Sequence, residues 1–226
     1  DLDQYLTAQE GRFDDIVPGT EKKIVWAGEP GDRTDIALVY VHGFSATRQE
    51  TAPLAETVAA KLGANLYYTR LTGHGRSGRA MLAGSVDAWL EDTYEAYAIG
   101  TRLGQEVVMV GVSTGGTAVT WLATRPEMNR LKACVLISPN FAPADWTANL
   151  LTWPGGLKLA EMIVGKERHW QAENALHEHY WTTRYPTAVL VPMMQLVNAV
   201  GRMDLGSIEA PFQVIYAPGD QVVSPG

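Results

Sequence analysis

The chain has 226 residues, enough to bury the core of one α/β domain, and its 46% hydrophobic and 19% charged content is typical of a globular protein. A formal net charge of −7 with scattered Lys and Arg argues against a broad polyanion-binding surface, so we expect no nucleic-acid partner. The uncharged segments 107–124 and 185–201 are interrupted by glycine or proline, so we expect no stable insertion into a membrane.

The amino end, DLDQYLTAQEGRFDD, is acidic and lacks the basic-then-apolar order of a signal peptide. Because the sequence begins with Asp1 rather than Met, we expect an upstream segment to have been removed or left unseen. The compartment stays open between the cytoplasm and export with that segment already removed. The single cysteine, Cys134, cannot form an internal disulfide, and its setting in ACVLISP is typical of an inert buried thiol.

Strand and helix patterns alternate along the chain. In order, they predict strand 22–26, strand 36–41, helix 51–62, strand 65–71, helix 86–103, strand 107–110, helix 115–124, strand 132–137 and strand 212–217. In the first helix Leu54, Val58 and Leu62 share a face, and Gly63 supplies a stop. Continuous Val/Ile/Leu strands are typical of a mostly parallel sheet covered by helices on both faces, so we predict an α/β three-layer sandwich.

The segment between Pro139 and Ser207 breaks this alternation. It contains several helical stretches, the loop WPGGLK and many Trp and Met residues, but no clear strand. We interpret residues 1–226 as a single domain in which residues 139–207 form a helical cap over one edge of the sheet. Such a cap turns some of its apolar surface towards a ligand cleft.

The stretch GVSTGG, residues 111–116, lies where the strand VVMV becomes an apolar helix. A sharp strand-to-helix turn exposes the Ser113 hydroxyl and aims free N–H groups of the new helix at a reacting carbonyl. The strained turn needs small residues two positions to either side of the serine, and Gly111 and Gly115 meet that need. This context favours a nucleophile over an ordinary Gly/Ser loop.

The sequence resembles the α/β-hydrolase family, specifically its capped esterase/lipase and carboxylesterase-like members, from about Ile24 to the end. The matching motifs are VYVHGF (39–44), LTGHGRS (71–77), GVSTGG (111–116) and YAPGDQVVSP (216–225). The resemblance implies that Ser113 is the nucleophile and that the N–H groups of Phe44 and Thr114 form the oxyanion hole. In the same motif, His42 beside Gly43 braces the oxyanion loop.

The same resemblance makes Asp220 the triad acid, because it follows a predicted strand in YAPGDQ. A carboxylate at that place can accept an imidazole N–H and fix its tautomer, and Ser before Asp is the order that this fold uses. A turn aspartate in Pro-Gly-Asp is the alternative. Asp145 and Asp204 are the other candidates, but both lie in the predicted cap.

No histidine follows Asp220, although the family's catalytic histidine does so, after one more strand and before a closing helix. His42 and His74 belong to structural loops of the resembling family, and three further histidines precede the acid in the cap. We therefore expect the polypeptide to continue beyond Gly226 and to supply the histidine, the strand and the helix there. A hydrolase that has lost its base is the alternative.

Two other motifs suggest different chemistry. GHGRSG (73–78) matches the dinucleotide-binding pattern, but RAMLAGS continues as a loop where a helix should open, so nucleotide binding is disfavoured. His169, Glu173 and His177 could share one helix face at i, i+4 and i+8. Zinc sites prefer tighter spacing, so a solvated helix face is the better interpretation and we expect no metal.

The sequence thus predicts a serine hydrolase that cleaves carboxylic esters of short- to medium-chain acids through an acyl-enzyme. Its partner is a small-molecule ester, and this mechanism requires no cofactor. Thioesterase, carbon–carbon hydrolase and peptidase chemistry stay open, as does a non-catalytic binding protein on the same scaffold. Oligomeric state cannot be read from the sequence.

Overall fold

The computed structural model describes residues 1–143 and 146–219 and contains a six-stranded sheet. Its strands are β1 (Lys23–Val25), β2 (Thr34–Val41), β3 (Asn65–Tyr68), β4 (Gly104–Val112), β5 (Leu131–Ile137) and, after two cap strands, β8 (Phe212–Ile215). The order is β1-β3-β2-β4-β5-β8, with β1 antiparallel and the other neighbours parallel. This is the mostly parallel sheet that the sequence predicts.

Seven α-helices accompany the strands in the described part of the chain. They are α1 (Leu2–Glu10), α2 (Leu54–Leu62), α3 (Val86–Leu103), α4 (Thr114–Ala123), α5 (Gly156–Val164), α6 (Ala175–Tyr180) and α7 (Leu190–Val200). Residues of α1, α3, α4 and α7 share one hydrophobic core with one face of the sheet, and α2 packs on the other face. Successive strand residues point to opposite faces, so the continuous apolar strands supply both cores.

Leu54, Val58 and Leu62 share a face of α2 and Gly63 ends the helix, as predicted, but this apolar face points to solvent. Leu54, Val58 and Leu62 are exposed, whereas Ala55 and Ala59 are buried against the sheet. The sheet presents large tyrosine and leucine side chains on this face, which leaves room only for alanines beneath the helix. The larger residues therefore point to solvent.

The segment between β5 and β8 contains a small antiparallel pair, β6 (Glu167–His169) and β7 (Arg184–Pro186). The expectation of no strand here is wrong, because each strand has only three residues, β6 is exposed and β7 buries only Tyr185, so neither carries an apolar periodicity. At the end of the segment, Leu196 and Val200 of α7 join the main core. The predicted cap is thus partly anchored in the sheet's own helical layer.

The glycines of GHGRSG are needed for the backbone conformation and for close backbone packing. Gly73 and Gly75 have positive φ, and a Cβ at Gly78 would lie 1.8 Å from the Arg184 oxygen of β7. A 3-10 helix, Gly78–Ala83, follows where the sequence predicts a continuing loop, and the Ser77 side chain caps it. Gly78 therefore allows close contact with β7.

No helix in the described ranges is both long and apolar enough to cross a membrane.

Candidate active site

Ser113 is the single residue between β4 and α4, and its backbone is strained. Its φ of 49° and ψ of −118° are angles that a residue with a Cβ rarely adopts. Its N–H donates to the Ile137 oxygen at 3.0 Å, and the Ser113 oxygen accepts the Asn140 N–H at 3.0 Å. These bonds hold the turn, and the half-buried side chain lies in the wall of a cavity.

Two glycines allow this turn because backbone crowds them. A Cβ at Gly115 would lie 2.3 Å from the Val41 oxygen and 2.5 Å from the His42 oxygen. A Cβ at Gly111 would lie 2.7 Å from the Gly115 oxygen. Both positions exclude any side chain, which is the physical reason for the glycines that the sequence analysis singles out.

Phe44 and Thr114 lie at the same edge of the sheet as Ser113. The register pairs Val41 with Gly111, so the loop after β2 lies beside the turn after β4. Thr114 is the first residue of α4, where a backbone N–H has no partner within the helix. Within residues 1–143 and 146–219, neither the Phe44 nor the Thr114 N–H has a recorded acceptor, and both residues line the cavity with Ser113.

His42 is fully buried and holds the loop after β2 from behind. Its Nε2 accepts the Leu71 N–H at 3.0 Å, so its Nδ1 carries the proton and donates to the Gly43 oxygen at 2.8 Å. Burial lowers the pKa of His42 to about 3. Because the Gly43 oxygen and the Phe44 N–H belong to one trans peptide unit, this bond points the N–H the opposite way.

Glu50 is a site residue that the sequence analysis missed. Its Oε2 accepts the Gly43 N–H at 2.8 Å, and the nearby Tyr40 hydroxyl lowers the pKa of the carboxyl group. Burial raises the pKa of Glu50 to about 7. Glu50 lines the same cavity as Ser113. No motif marks it, because it comes seven residues after Gly43 in a polar stretch.

The cavity has a volume of about 770 Å³, and the segment between β5 and β8 supplies most of its wall. The described apolar side chains of that wall include Leu150, Leu151, Leu159, Ala160, Ile163 and Leu190. Among the described lining residues, two are of the Asp, Glu, Lys or Arg types: Glu50 and Arg168. Such a wall suits an uncharged, largely apolar ligand.

The five histidines are distributed over three places. His74 is buried beside His42, and burial lowers its pKa to about 4. His177 lines the cavity, with its ring 4.8 Å from that of Trp170 and 4.6 Å from that of Trp181. His169 lies in β6 and His177 in α6, so the predicted shared helix face is wrong. His179, also in α6, lies 3.3 Å by its Nε2 from the Pro18 oxygen.

Of the three candidate acids, only Asp204 falls within the described residues. Its Oδ1 accepts the Gly206 N–H at 2.9 Å at the start of a 3-10 helix, a capping role. Asp220 and Asp145 lie outside the described residues. No group of three or more metal-ligating side chains is found in the part of the chain that the structure describes.

Several known proteins are similar to this chain in sequence or in fold. A thermostable monoacylglycerol lipase of Bacillus sp. (strain H-257) is 28% identical over 194 residues, which cover 84% of this chain and 73% of that protein. A structure of the metagenome-derived lipolytic enzymes LipS and LipT superposes with a TM-score of 0.75 at 22% identity, covering 93% of this chain and 80% of that one. A monoglyceride lipase of Saccharomyces cerevisiae superposes with a TM-score of 0.62 at 12% identity, covering 91% of this chain and 75% of that one.

The predicted α/β-hydrolase fold is confirmed by these neighbours. The model of the Hydrolase_4 family, described as serine aminopeptidase, S33, matches residues 32–226, which is most of the chain and includes every motif of the cavity. The chain therefore belongs to this serine aminopeptidase S33 family of α/β hydrolases.

Proposed function

We propose that the protein is a carboxylic ester hydrolase that acts through an acyl-enzyme at Ser113. One observation carries the proposal: a serine with a strained backbone at a strand-to-helix turn faces an apolar cavity beside two backbone N–H groups. A hydroxyl at the wall of a cavity next to free amide donors is the arrangement that acyl transfer needs. The relative named as a monoacylglycerol lipase supports an ester as substrate.

In this mechanism the Ser113 Oγ forms a bond to the ester carbonyl carbon while a histidine takes its proton. The Phe44 and Thr114 N–H groups bind the resulting oxyanion. Collapse expels the alcohol, which receives the proton, and water then repeats the attack to release the acid. Asp220 orients this histidine, and the sequence motifs predict that the histidine follows Asp220 in the chain.

The apolar wall and the cavity volume support acyl chains of short to medium length. Peptidase chemistry is the second candidate because of the family's description. An aminopeptidase needs an acceptor for the substrate's ammonium group. The carboxylate of the described lining, Glu50, already accepts the Gly43 N–H and contacts the Tyr40 hydroxyl, which favours the ester.

The decisive experiment compares the full-length protein with Ser113→Ala on p-nitrophenyl butyrate and on alanine p-nitroanilide. We expect ester hydrolysis to fall at least about 10³-fold in Ser113→Ala, with the far-UV spectrum unchanged. The control is Ser207→Ala, an exposed serine outside the cavity lining. Full activity in Ser113→Ala, or turnover of the anilide alone, would contradict the proposal.

The source of the base has its own test, His177→Phe. Phenylalanine preserves the packing between Trp170 and Trp181 but cannot accept a proton. We expect the kcat for the butyrate ester to stay within about three-fold, because the base is assigned to a different histidine. A loss as large as that of Ser113→Ala would make His177 the base.

A further inference from the structure

We propose that Glu50 is a positioning residue of the oxyanion hole: its carboxyl group holds the Gly43 N–H and so fixes the peptide unit that presents the Phe44 N–H. The inference rests on the proposed function of Ser113 and Phe44.

The Glu50 carboxyl group and the Ser113 side chain both lie next to Gly43. A methyl group at Gly43 would lie 2.7 Å from Glu50 Oε1 and 3.1 Å from Ser113 Cβ. Glu50 therefore lies within the first layer of side chains around the reacting serine. Its Oε2 points at the backbone of the oxyanion loop, where it accepts the Gly43 N–H at 2.8 Å.

Gly43 needs restraint from both sides. Glycine has the widest choice of backbone angles, so a donor peptide that follows a glycine can rotate unless it is held. His42 holds the Gly43 oxygen at 2.8 Å, and Glu50 holds the Gly43 N–H. Together the two bonds fix the peptide before and the peptide after Gly43, and hence the direction of the Phe44 N–H.

Glu50 lies beside a residue of strand β2. The Tyr40 hydroxyl is close enough to the carboxyl group to lower its pKa, and it accepts the Thr51 hydroxyl at 2.9 Å. Tyr40 is fully buried in β2, so the sheet provides a rigid, close-packed surface beside the carboxyl group.

The positioning role needs an acceptor and not a charge. A full negative charge at Glu50 would oppose the oxyanion that forms nearby, whereas a neutral group would not. Burial raises the pKa of this carboxyl to about 7, although the Gly43 N–H and the nearby Tyr40 hydroxyl both lower it. An amide with the same shape should therefore replace it.

The test measures kcat and KM for p-nitrophenyl butyrate in Glu50→Leu and Glu50→Gln of the full-length protein. Glu50→Leu removes the acceptor, and we expect the kcat to fall about ten-fold or more with the KM within two-fold. Glu50→Gln keeps a carbonyl acceptor, and we expect at least a third of the wild-type kcat. Binding of a trifluoromethyl ketone, which forms an oxyanion adduct with the serine, should weaken in parallel with the kcat.

The matched control is Glu56→Leu. It removes a half-buried carboxylate of α2 that lies beside Tyr68 and outside the cavity lining. It should leave the kcat unchanged. If Glu50→Leu does not fold, Tyr40→Phe removes the hydroxyl beside the carboxyl group, and we expect the kcat to fall about three-fold.

Two results would overturn the inference and are distinct from failure of the proposed function. One is an unchanged kcat in Glu50→Leu, or in Tyr40→Phe as its substitute, while Ser113→Ala is inactive. The other is an equal loss in Glu50→Gln and Glu50→Leu, which would make the charge itself the working group. Activity that survives in Ser113→Ala would instead reject the function on which the inference rests.

Discussion

At the scale of single residues, burial controls the charge of the groups packed around Ser113. His42 and His74 have pKa values lowered by burial, so both are neutral near pH 7. Glu50 has its pKa raised by burial, so its folded form binds a proton more tightly than an exposed glutamate does. Ser113 therefore lies near side chains that burial keeps largely uncharged, where backbone amide dipoles act with little screening.

The raised pKa of Glu50 predicts a pH-dependent stability. Its stabilising contribution is fully present below the ordinary value of 4.5 and is lost as the pH rises through about 7. The loss amounts to at most about 3 kcal/mol for a fully shielded group, and less for this half-buried one. Glu50→Gln has no such titration, so its melting temperature should rise relative to the wild type between pH 5 and pH 8.

Thermal melts of both proteins across this range provide the measurement. The two buried histidines have the opposite dependence, since their contribution is lost as the pH falls below 6.5. The wild type and Glu50→Gln share this histidine dependence, so the difference between their melting temperatures reports on Glu50 alone. A constant difference from pH 5 to pH 8 would show that the Glu50 carboxyl does not titrate there.

Single residues also show where sequence reasoning stops. Ser113 and Phe44 lie in short motifs whose role depends on neighbours in the chain, so they could be proposed from the sequence. Glu50 acts through a loop that returns to Gly43, a contact that only the folded backbone defines. The candidate acid Asp220 lies outside the described residues and stays a prediction.

At the scale of elements, the turn between β4 and α4 depends on close backbone packing. Gly115→Ala would place a methyl group 2.3 Å from the Val41 oxygen of β2, so strand and helix must separate. We expect the free energy of unfolding to fall by more than about 2 kcal/mol, together with a loss of esterase activity. Urea denaturation monitored by tryptophan fluorescence measures the change.

Gly28→Ala is the control for that substitution, because no heavy atom lies within 4 Å of its added Cβ. It should change stability by no more than about 0.5 kcal/mol. Equal stability of the two variants would mean that the turn can relax without cost.

Elements buried on both faces could be predicted because their apolar runs are continuous, as in β4 and β5. The buried face of α2 could not, because alanines beneath bulky strand side chains override the usual preference for burying leucine. The strands β6 and β7 could not be predicted, because a pair of three residues each with Tyr185 as its buried residue carries no hydrophobic pattern.

At the scale of the whole molecule, the cavity lies between the carboxyl edge of the sheet and the segment that follows β5. Side chains of α5, including Leu159, Ala160 and Ile163, form part of its wall. On the same helix, Met162 is 77% exposed and outside the lining. One helix therefore presents apolar groups both to the cavity and to solvent.

This arrangement predicts a change of acyl-chain preference. Ala160→Trp would fill part of the cavity, and we expect the kcat/KM for p-nitrophenyl octanoate to fall about ten-fold relative to that for the acetate. Met162→Trp adds the same side chain on the same helix and should leave the ratio unchanged. An unaltered ratio in Ala160→Trp would place the acyl chain elsewhere.

Two contacts tie the loop after β2 to the segment that forms the cavity wall. The Thr182 N–H donates to the Ser45 oxygen at 2.7 Å, and the Tyr185 ring packs 5.5 Å from that of Phe44. A chimaera that takes this segment from another hydrolase inherits or loses both contacts along with the new specificity. Substrate recognition and turnover are consequently coupled through these contacts. Engineering a new selectivity into this scaffold requires keeping the Thr182 N–H contact and the Tyr185 ring in place.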